Sequence, residues 1–63
     1  MTTEPHVVFI QSGERRKPWG QYVCAADAEA AAIRLRLIGL DGRAAPGRII
    51  AGELVLASAE RAA

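Results

Sequence analysis

The chain has few of the residues that usually stabilise or equip a small domain. Its 63 residues include one cysteine, one histidine and three aromatic side chains, one each of Trp, Tyr and Phe. One cysteine excludes an internal disulfide, and one cysteine with one histidine cannot supply the four ligands of a structural zinc site. A chain this short buries only about 60% of its unfolded surface. We therefore expect self-association or a larger partner to add stability.

Long hydrophobic segments are also missing. No apolar stretch approaches the roughly 20 residues needed to span a bilayer. The first residues, MTTEPH, lack the basic region and apolar run of a signal peptide. A lone cysteine, Cys24, is typical of a reducing compartment. The sequence therefore predicts a cytoplasmic protein with no membrane partner.

Neither sign of charge is in excess. The chain has 8 Lys and Arg against 7 Asp and Glu, for a net charge of +1. Binding to nucleic acid would therefore depend on local cations rather than on overall charge. The hydrophobic content of 51% favours a folded domain over a disordered one.

The groups that catalysis requires are equally sparse. Enzymes usually need a nucleophile with a base, paired carboxylates or a metal. His6 begins a predicted strand, and Cys24 has no neighbouring cation in sequence to activate it. Asp27 is better explained as a helix cap and Asp41 as a turn residue. We therefore predict no enzyme, no catalytic residue, no cofactor and no metal.

Four segments have the patterns of regular structure. His6–Gln11 (HVVFIQ) is apolar on both faces and predicts a central strand. Trp19–Ala25 predicts a second strand, after a hairpin loop over Ser12–Pro18. Arg48–Ser58 is the last apolar segment. Its Gly52-Glu53 can be a bulge in one strand or a tight turn between two, and we favour one kinked strand.

Between the second and last strands the sequence predicts a helix. Asp27 is the predicted N-cap, Ala28–Ile38 the helix and Gly39 the residue that ends it, followed by a loop over Asp41–Arg48. The predicted fold class is α+β, with a small, mainly antiparallel sheet and one helix packed on one face, in β-β-α-β order. Residues 1–63 form one domain, in which 1–5 and 59–63 are expected to be loose.

The predicted helix has apolar residues on two opposite sides. At about 100° per residue, Ala30, Ile33, Leu37 and Leu40 share one side. Packing on a sheet needs only one such side. Either the second side is ordinary surface, or it binds a second copy of the chain or a partner. The residues of the second side that would form such an interface are Ala28, Ala31, Leu35 and Ile38.

A basic run precedes the tryptophan. Arg15, Arg16 and Lys17 form the only run of like charge, and we predict that they lie at a hairpin tip. The tip is either a solvated turn or a site for an anionic partner, which the arginines can bind through paired hydrogen bonds. Trp19 would then be a binding anchor or a platform for a nucleic-acid base. Packing in the core is the favoured role of this ring.

One segment resembles known proteins. In YVCAADAEAAAIRL, Tyr22 to Leu35, a strand ending in alanine leads through a capping aspartate into an alanine-rich helix. This pattern is similar to segments of small phage and mobile-element proteins, including some anti-CRISPR proteins of comparable length. The resemblance implies a stoichiometric inhibitor or adaptor, often dimeric, that covers the surface of another protein. It assigns no functional residue.

The leading hypothesis is therefore a small protein-binding module that forms a homodimer and performs no catalysis. The first alternative is a small nucleic-acid-binding protein that uses Arg15, Arg16 and Lys17. The second is a structural subunit of a larger assembly. These classes differ in salt dependence, because affinity dominated by phosphate contacts falls steeply as salt rises.

Overall fold

The computed structural model describes residues 4–58, which form a four-stranded antiparallel sheet and one helix. The elements are β1 (His6–Ser12), β2 (Arg15–Tyr22), α1 (Ala25–Leu37), β3 (Gly42–Ile50) and β4 (Glu53–Leu56). The strands are arranged in the order β2-β1-β3-β4. This confirms the α+β class and the antiparallel sheet. The predicted β-β-α-β order is wrong, because a fourth strand follows β3.

The chain termini fall largely outside these residues. Residues 1–5 and 59–63 were predicted to be loose. Of these, 1–3 and 59–63 lie outside the described residues. Pro5 is described, and its carbonyl oxygen accepts a hydrogen bond from the Gly47 N–H at 3.0 Å. That bond ties the chain before β1 to the middle of β3.

Strand β1 is the centre of the sheet, as its two apolar faces predict. It pairs with β2 on one side and with β3 on the other. Val7 and Val8 are fully buried and point to opposite faces, and Phe9 is also buried. Both faces of β1 are therefore covered, which confirms the prediction of a doubly covered strand.

Strand β3 occupies a segment that was predicted to be a loop. Residues 42–46 pair with β1, and residues 47–50 pair with β4. The change of partner falls at Pro46-Gly47, where the missing proline N–H and the missing glycine side chain are tolerated. A Cβ atom on Gly47 would lie 2.5 Å from the Val55 carbonyl oxygen. The glycine and proline that suggested a loop instead mark a change of pairing within one strand.

Two-residue turns join both hairpins. Ala51-Gly52 connects β3 to β4, and both residues have positive φ (52° and 81°), as a type I′ turn requires. The tight-turn alternative is therefore right, and the kinked strand is wrong. Gly13-Glu14 connects β1 to β2, with Gly13 at φ 61°. The predicted loop over Ser12–Pro18 is wrong because β2 begins at Arg15.

Helix α1 begins earlier than predicted and ends at Leu37, one residue before the predicted end, while Gly39 follows the C-cap Ile38 as predicted. Its N-cap is Cys24, which makes no side-chain cap, and Asp27 lies in the first turn, where its charge complements the helix dipole. At the other end Gly39 has φ 91°, and its N–H bonds the Arg36 carbonyl oxygen at 3.1 Å. The Leu40 N–H bonds the Leu35 carbonyl oxygen at 3.0 Å, which completes a Schellman motif. Within residues 4–58, no helix has the length and hydropathy needed to cross a membrane.

The side of the helix that was considered as an interface packs against the sheet, and the side with Ile33 and Leu37 faces solvent. The side that packs against the sheet consists of Ala28, Ala31, Ala32 and Leu35, which form a core with Val8. Ala28, Ala31 and Leu35 are therefore buried within the chain and cannot form an interface with a second copy. The physical reason is the close approach of α1 to β3, which small side chains allow. Ile38, the fourth residue of that proposed interface, is exposed.

The sheet curls until its two outer strands approach each other. Strands β2 and β4 are the edges of the sheet, yet they are in contact. A side-chain bond spans the curl: the Ile49 N–H donates to Oε1 of Gln21 at 2.8 Å. The β3–β4 hairpin is therefore held beside β2 on the side of the sheet away from α1.

Replacing Gly42 by alanine tests the close packing of the helix. A Cβ atom there would lie 2.7 Å from Cβ of Leu35 and 2.8 Å from the Ala32 carbonyl oxygen. We expect Gly42→Ala to lower the free energy of unfolding by about 1–3 kcal/mol, the usual cost of overpacking. Urea denaturation measures it. Gly20→Ala is the control, because its Cβ would meet the movable Tyr22 ring at 3.3 Å. Equal losses in the two variants would contradict the tight contact.

Replacing Ala51 by asparagine tests the type I′ turn. Positive φ costs an ordinary residue roughly 1–2 kcal/mol, whereas asparagine tolerates it and is favoured before glycine in this turn. We expect Ala51→Asn to raise the free energy of unfolding by about 0.5–1 kcal/mol. The same change at exposed Ala30 inside α1 should lower it by about 0.5 kcal/mol, since asparagine is a poorer helix former. A loss of stability in Ala51→Asn would count against the turn.

Candidate functional site

The three consecutive cations lie along β2 and not at a hairpin tip. Arg15, Arg16 and Lys17 are all exposed, and they pair with Ser12, Gln11 and Ile10 respectively. Residues that pair across an antiparallel sheet share a face, and neighbours along a strand point to opposite faces. The run therefore divides, with Arg15 and Lys17 on one face and Arg16 on the other.

Arg16 lies on the face away from α1. Its guanidinium carbon is 5.8 Å from the centroid of the Phe9 ring, a distance at which a cation is attracted to an aromatic face. Lys17 lies on the helix side, because its partner Ile10 packs against the core under α1. The predicted anion-binding tip is therefore corrected to two separate positions on opposite faces.

Trp19 occupies a bulge in β2. Phe9 pairs with Pro18 and Val8 pairs with Gly20, so Trp19 has no partner on β1. Because an extra residue bends the strand and redirects side chains, the ring turns outward and is 55% exposed. The favoured prediction that Trp19 packs in the core is wrong. Its exposure leaves it available as a binding anchor.

The exposed tryptophan borders a groove between α1 and β2. This α1–β2 groove has a volume of about 320 Å³ and a mainly apolar lining that includes the Arg34 guanidinium. Its lining residues are Trp19, Tyr22, Ala31, Arg34, Leu35 and Ile38. Leu35 and Ala31 form a buried floor, while Trp19 and Ile38 are exposed walls. The groove suits one or two apolar side chains of a partner.

The charges beside the α1–β2 groove are positive. Arg34 is the only lining residue that carries a full charge at neutral pH. Lys17 stands on the same side of β2, two residues before Trp19, and Arg15 two residues before that. The groove therefore combines an apolar floor, an exposed aromatic ring and nearby cations.

A second groove lies on the other side of the sheet, between β2 and the β3–β4 hairpin. It has a volume of about 430 Å³ and is lined by Arg16, Pro18, Gly52, Glu53, Leu54 and Leu56. It contains one cation and one anion and no exposed aromatic ring. Its charge therefore selects neither an anionic nor a cationic partner.

Two further arginines already have partners within the chain. Nε and Nη2 of Arg43 donate to Oδ1 and Oδ2 of Asp41 at 3.2 and 3.0 Å. These hydrogen bonds and the carboxylate charge of Asp41 raise the pKa of Arg43 above its usual value. Nε of Arg36 donates to the Gly42 carbonyl oxygen at 2.9 Å. The Arg36 bond joins α1 to β3, whereas the Arg43 pair lies at the start of β3.

His6 and Cys24 are placed without a catalytic arrangement. Nδ1 of His6 is 3.0 Å from the Glu4 carbonyl oxygen, and Cys24 is half-buried at the helix N-cap, beyond the end of β2. Within residues 4–58, no group of three His, Cys, Asp or Glu side chains is arranged to hold a metal ion.

No protein-family model matches the chain, and no curated protein or solved structure shows significant similarity to it.

Sequence reasoning found part of the α1–β2 groove. It singled out Trp19 and the basic run, and its proposed self-association or partner face included the lining residues Ala31, Leu35 and Ile38. It missed Tyr22 and Arg34 as lining residues of one groove. Their shared location depends on the packing angle of α1 on β2, and no local sequence signal reports that angle.

Truncating Trp19 tests whether the ring is a surface anchor. Because its ring is more than half exposed, we expect Trp19→Ala to lower the free energy of unfolding by less than about 1 kcal/mol. Phe9→Ala, which empties a buried site, should cost about 3–5 kcal/mol. Thermal and urea denaturation of both variants measure the difference. Equal destabilisation would place Trp19 in the core.

Proposed function

We propose that this chain is a non-catalytic binding module that uses the α1–β2 groove to hold a segment of another protein. The observation that carries this proposal is the exposed Trp19 at the wall of a mainly apolar groove that Arg34 also lines. Exposed tryptophans surrounded by apolar surface are frequent anchors at protein interfaces. A ring without a packing role is better explained by a contact outside the chain.

The charges define the chemistry of the partner segment. Arg34 at the groove and Lys17 beside it favour a segment with one or two apolar side chains followed or preceded by Asp or Glu. The apolar side chains would enter between Trp19 and Ile38, and the carboxylates would face the cations. Electrostatic complementarity of this kind fixes orientation and speeds association.

The size of the groove limits the affinity. A volume of about 320 Å³ accepts a short anchor and not a folded domain. Contacts that bury less surface than standard interfaces are usually weak or transient. We therefore expect one such segment to bind with micromolar affinity, and tighter binding would require further contacts.

The mode of action follows from the chemistry of the grooves. Neither of the two grooves places a nucleophile beside a base. We propose that the protein acts in the cytoplasm by covering a partner surface, as a stoichiometric inhibitor or adaptor. The resemblance of Tyr22–Leu35 to small phage and mobile-element proteins supports the same mode of action.

A display library of random peptides tests the proposal without a known partner. We expect the selected peptides to share an apolar residue next to Asp or Glu. Trp19→Ala should weaken their binding at least about tenfold, as truncation of an aromatic anchor usually does. Lys17→Glu should weaken it several-fold. Calorimetry on purified peptides measures both changes.

Arg16→Glu is the matched control for Lys17→Glu. The two residues are neighbours in sequence and both are exposed, but Arg16 lies on the opposite face. Equal losses in these two variants would show non-specific attraction by positive charge. Peptides that bind Trp19→Ala as well as the wild type would exclude the groove.

Binding to single-stranded nucleic acid is the second candidate, because an exposed ring beside cations can also stack on a base. An oligothymidylate titrated at two salt concentrations distinguishes it. Affinity that falls steeply with salt, together with loss of binding in Trp19→Ala, would favour the nucleic-acid function. If the oligonucleotide does not bind and acidic peptides do, the protein-binding function stands.

A further inference from the structure

The outward side of α1 is apolar, and no residue of the described range 4–58 covers it. Its residues Ala26, Ala30, Ile33 and Leu37 are all exposed, and we call them the outer stripe. Leu37 is 81% exposed. Their spacing of four, three and four residues is the pattern with which one helix packs along another. We propose that a second copy of this chain covers the outer stripe, with the two helices antiparallel.

The sizes of the side chains favour the antiparallel direction. The small residues Ala26 and Ala30 come first along the helix, and the large residues Ile33 and Leu37 follow. In an antiparallel pair, the two-fold axis would pass level with the point between Ala31 and Ala32. Each alanine of the outer stripe then lies opposite a large residue of the second copy. Ala26 meets Leu37 of the second copy, and Ala30 meets Ile33. A parallel pair would set large against large and leave space between the alanines.

The charges beside the outer stripe favour the same direction. Glu29 and Arg36 lie along one flank, and Asp27 and Arg34 along the other. The two residues of each flank are seven positions apart in sequence, so they lie at nearly the same angle around the helix. In an antiparallel pair, the two-fold axis places each flank against the same flank of the second copy, which runs in the opposite direction. Glu29 then faces Arg36 of the second copy, whereas a parallel pair would set arginine against arginine.

The contacts of Arg36 within the chain are compatible with this role. Its Nε donates to the Gly42 carbonyl oxygen. A guanidinium has five N–H donors, so the other donors remain for a carboxylate on the second copy. The internal bond holds the side chain on the Glu29 flank and reduces the entropy lost when the pair forms.

The dimer should be weak. Helix α1 has 13 residues and is about 20 Å long, so one helix-to-helix contact buries less than a standard interface of about 1,600 Å². We expect a dissociation constant on the order of 10–100 μM. The α1–β2 groove shares Arg34 with one flank of the outer stripe, but its other lining residues lie outside the stripe and its flanks. A dimer would therefore present two grooves and bind paired segments with higher avidity.

Sedimentation equilibrium from about 5 to 500 μM tests the dimer. The wild-type mass should rise with concentration towards twice the chain mass. Leu37→Glu should stay monomeric throughout and keep its thermal unfolding transition. Val23→Glu is the matched control, because Val23 is 77% exposed and outside the outer stripe. It should associate as the wild type does. A wild type that stays monomeric at 500 μM, or equal losses in the two variants, would overturn the proposal.

Charge reversal tests the flank contacts. Glu29→Arg alone sets arginine against arginine and should weaken association about tenfold or more. Glu29→Arg combined with Arg36→Glu restores opposite charges and should recover most of the loss. A double variant no better than Glu29→Arg, with its fold verified by circular dichroism, would contradict the pairing.

Cross-linking tests the direction. In a Cys24→Ser background, a mixture of Ala26→Cys and Leu37→Cys chains should form a covalent dimer on oxidation. Ala26→Cys chains alone should not, because the two cysteines would be about 16 Å apart along the pair. Cross-linking of Ala26→Cys alone would show a parallel pair and overturn the antiparallel arrangement. Leu37→Glu should still bind the peptides selected for the α1–β2 groove, which separates this proposal from that function.

Discussion

The close approach of α1 to β3 determines which residues the chain buries and which it exposes. At Gly42 the strand comes so near the helix that a single added carbon would lie 2.7 Å from Leu35 Cβ. Only a helix side made of small residues fits against such a surface, and Ala28, Ala31 and Ala32 supply it. Leu35 is the one large residue of this helix side that is buried, whereas Ile33, Leu37 and Ile38 are turned towards solvent. The core gains contact through short distances rather than through large side chains.

This constraint explains why the helix was predicted correctly and its orientation was not. The alanine-rich composition and Gly39 predict a helix and its end, because both are local signals. Which side faces the sheet depends on residue 42, which is distant in sequence from most of the helix. Reasoning from size alone would bury Ile33 and Leu37. The structure instead buries the alanines, because Gly42 removes the space that larger residues need.

The strands show the same division between local and distant information. His6–Gln11 was recognised because a central strand is apolar on both faces. The run of cations was assigned to a loop because charge and Pro18 are typical of loops, yet β2 is an edge strand on which both are tolerated. The bulge that exposes Trp19 arises from the pairing register of β1 with β2. No property of Trp19 or its neighbours in sequence predicts that register, so the candidate site could be predicted only in part.

The curl of the sheet leaves residues 47–56 of the β3–β4 hairpin less firmly attached than residues 42–46, which pair with β1 and meet α1 at Gly42. The outer strand of the hairpin has half-buried side chains at best, and one exposed hydrogen bond, from Ile49 to Gln21, joins the hairpin to β2. Separation of the hairpin from β2 would leave the core between β1 and α1 intact. Such a segment opens locally at a lower free energy than global unfolding. The backbone amides of residues 47–56 would exchange with solvent sooner than those of β1 and of residues 42–46.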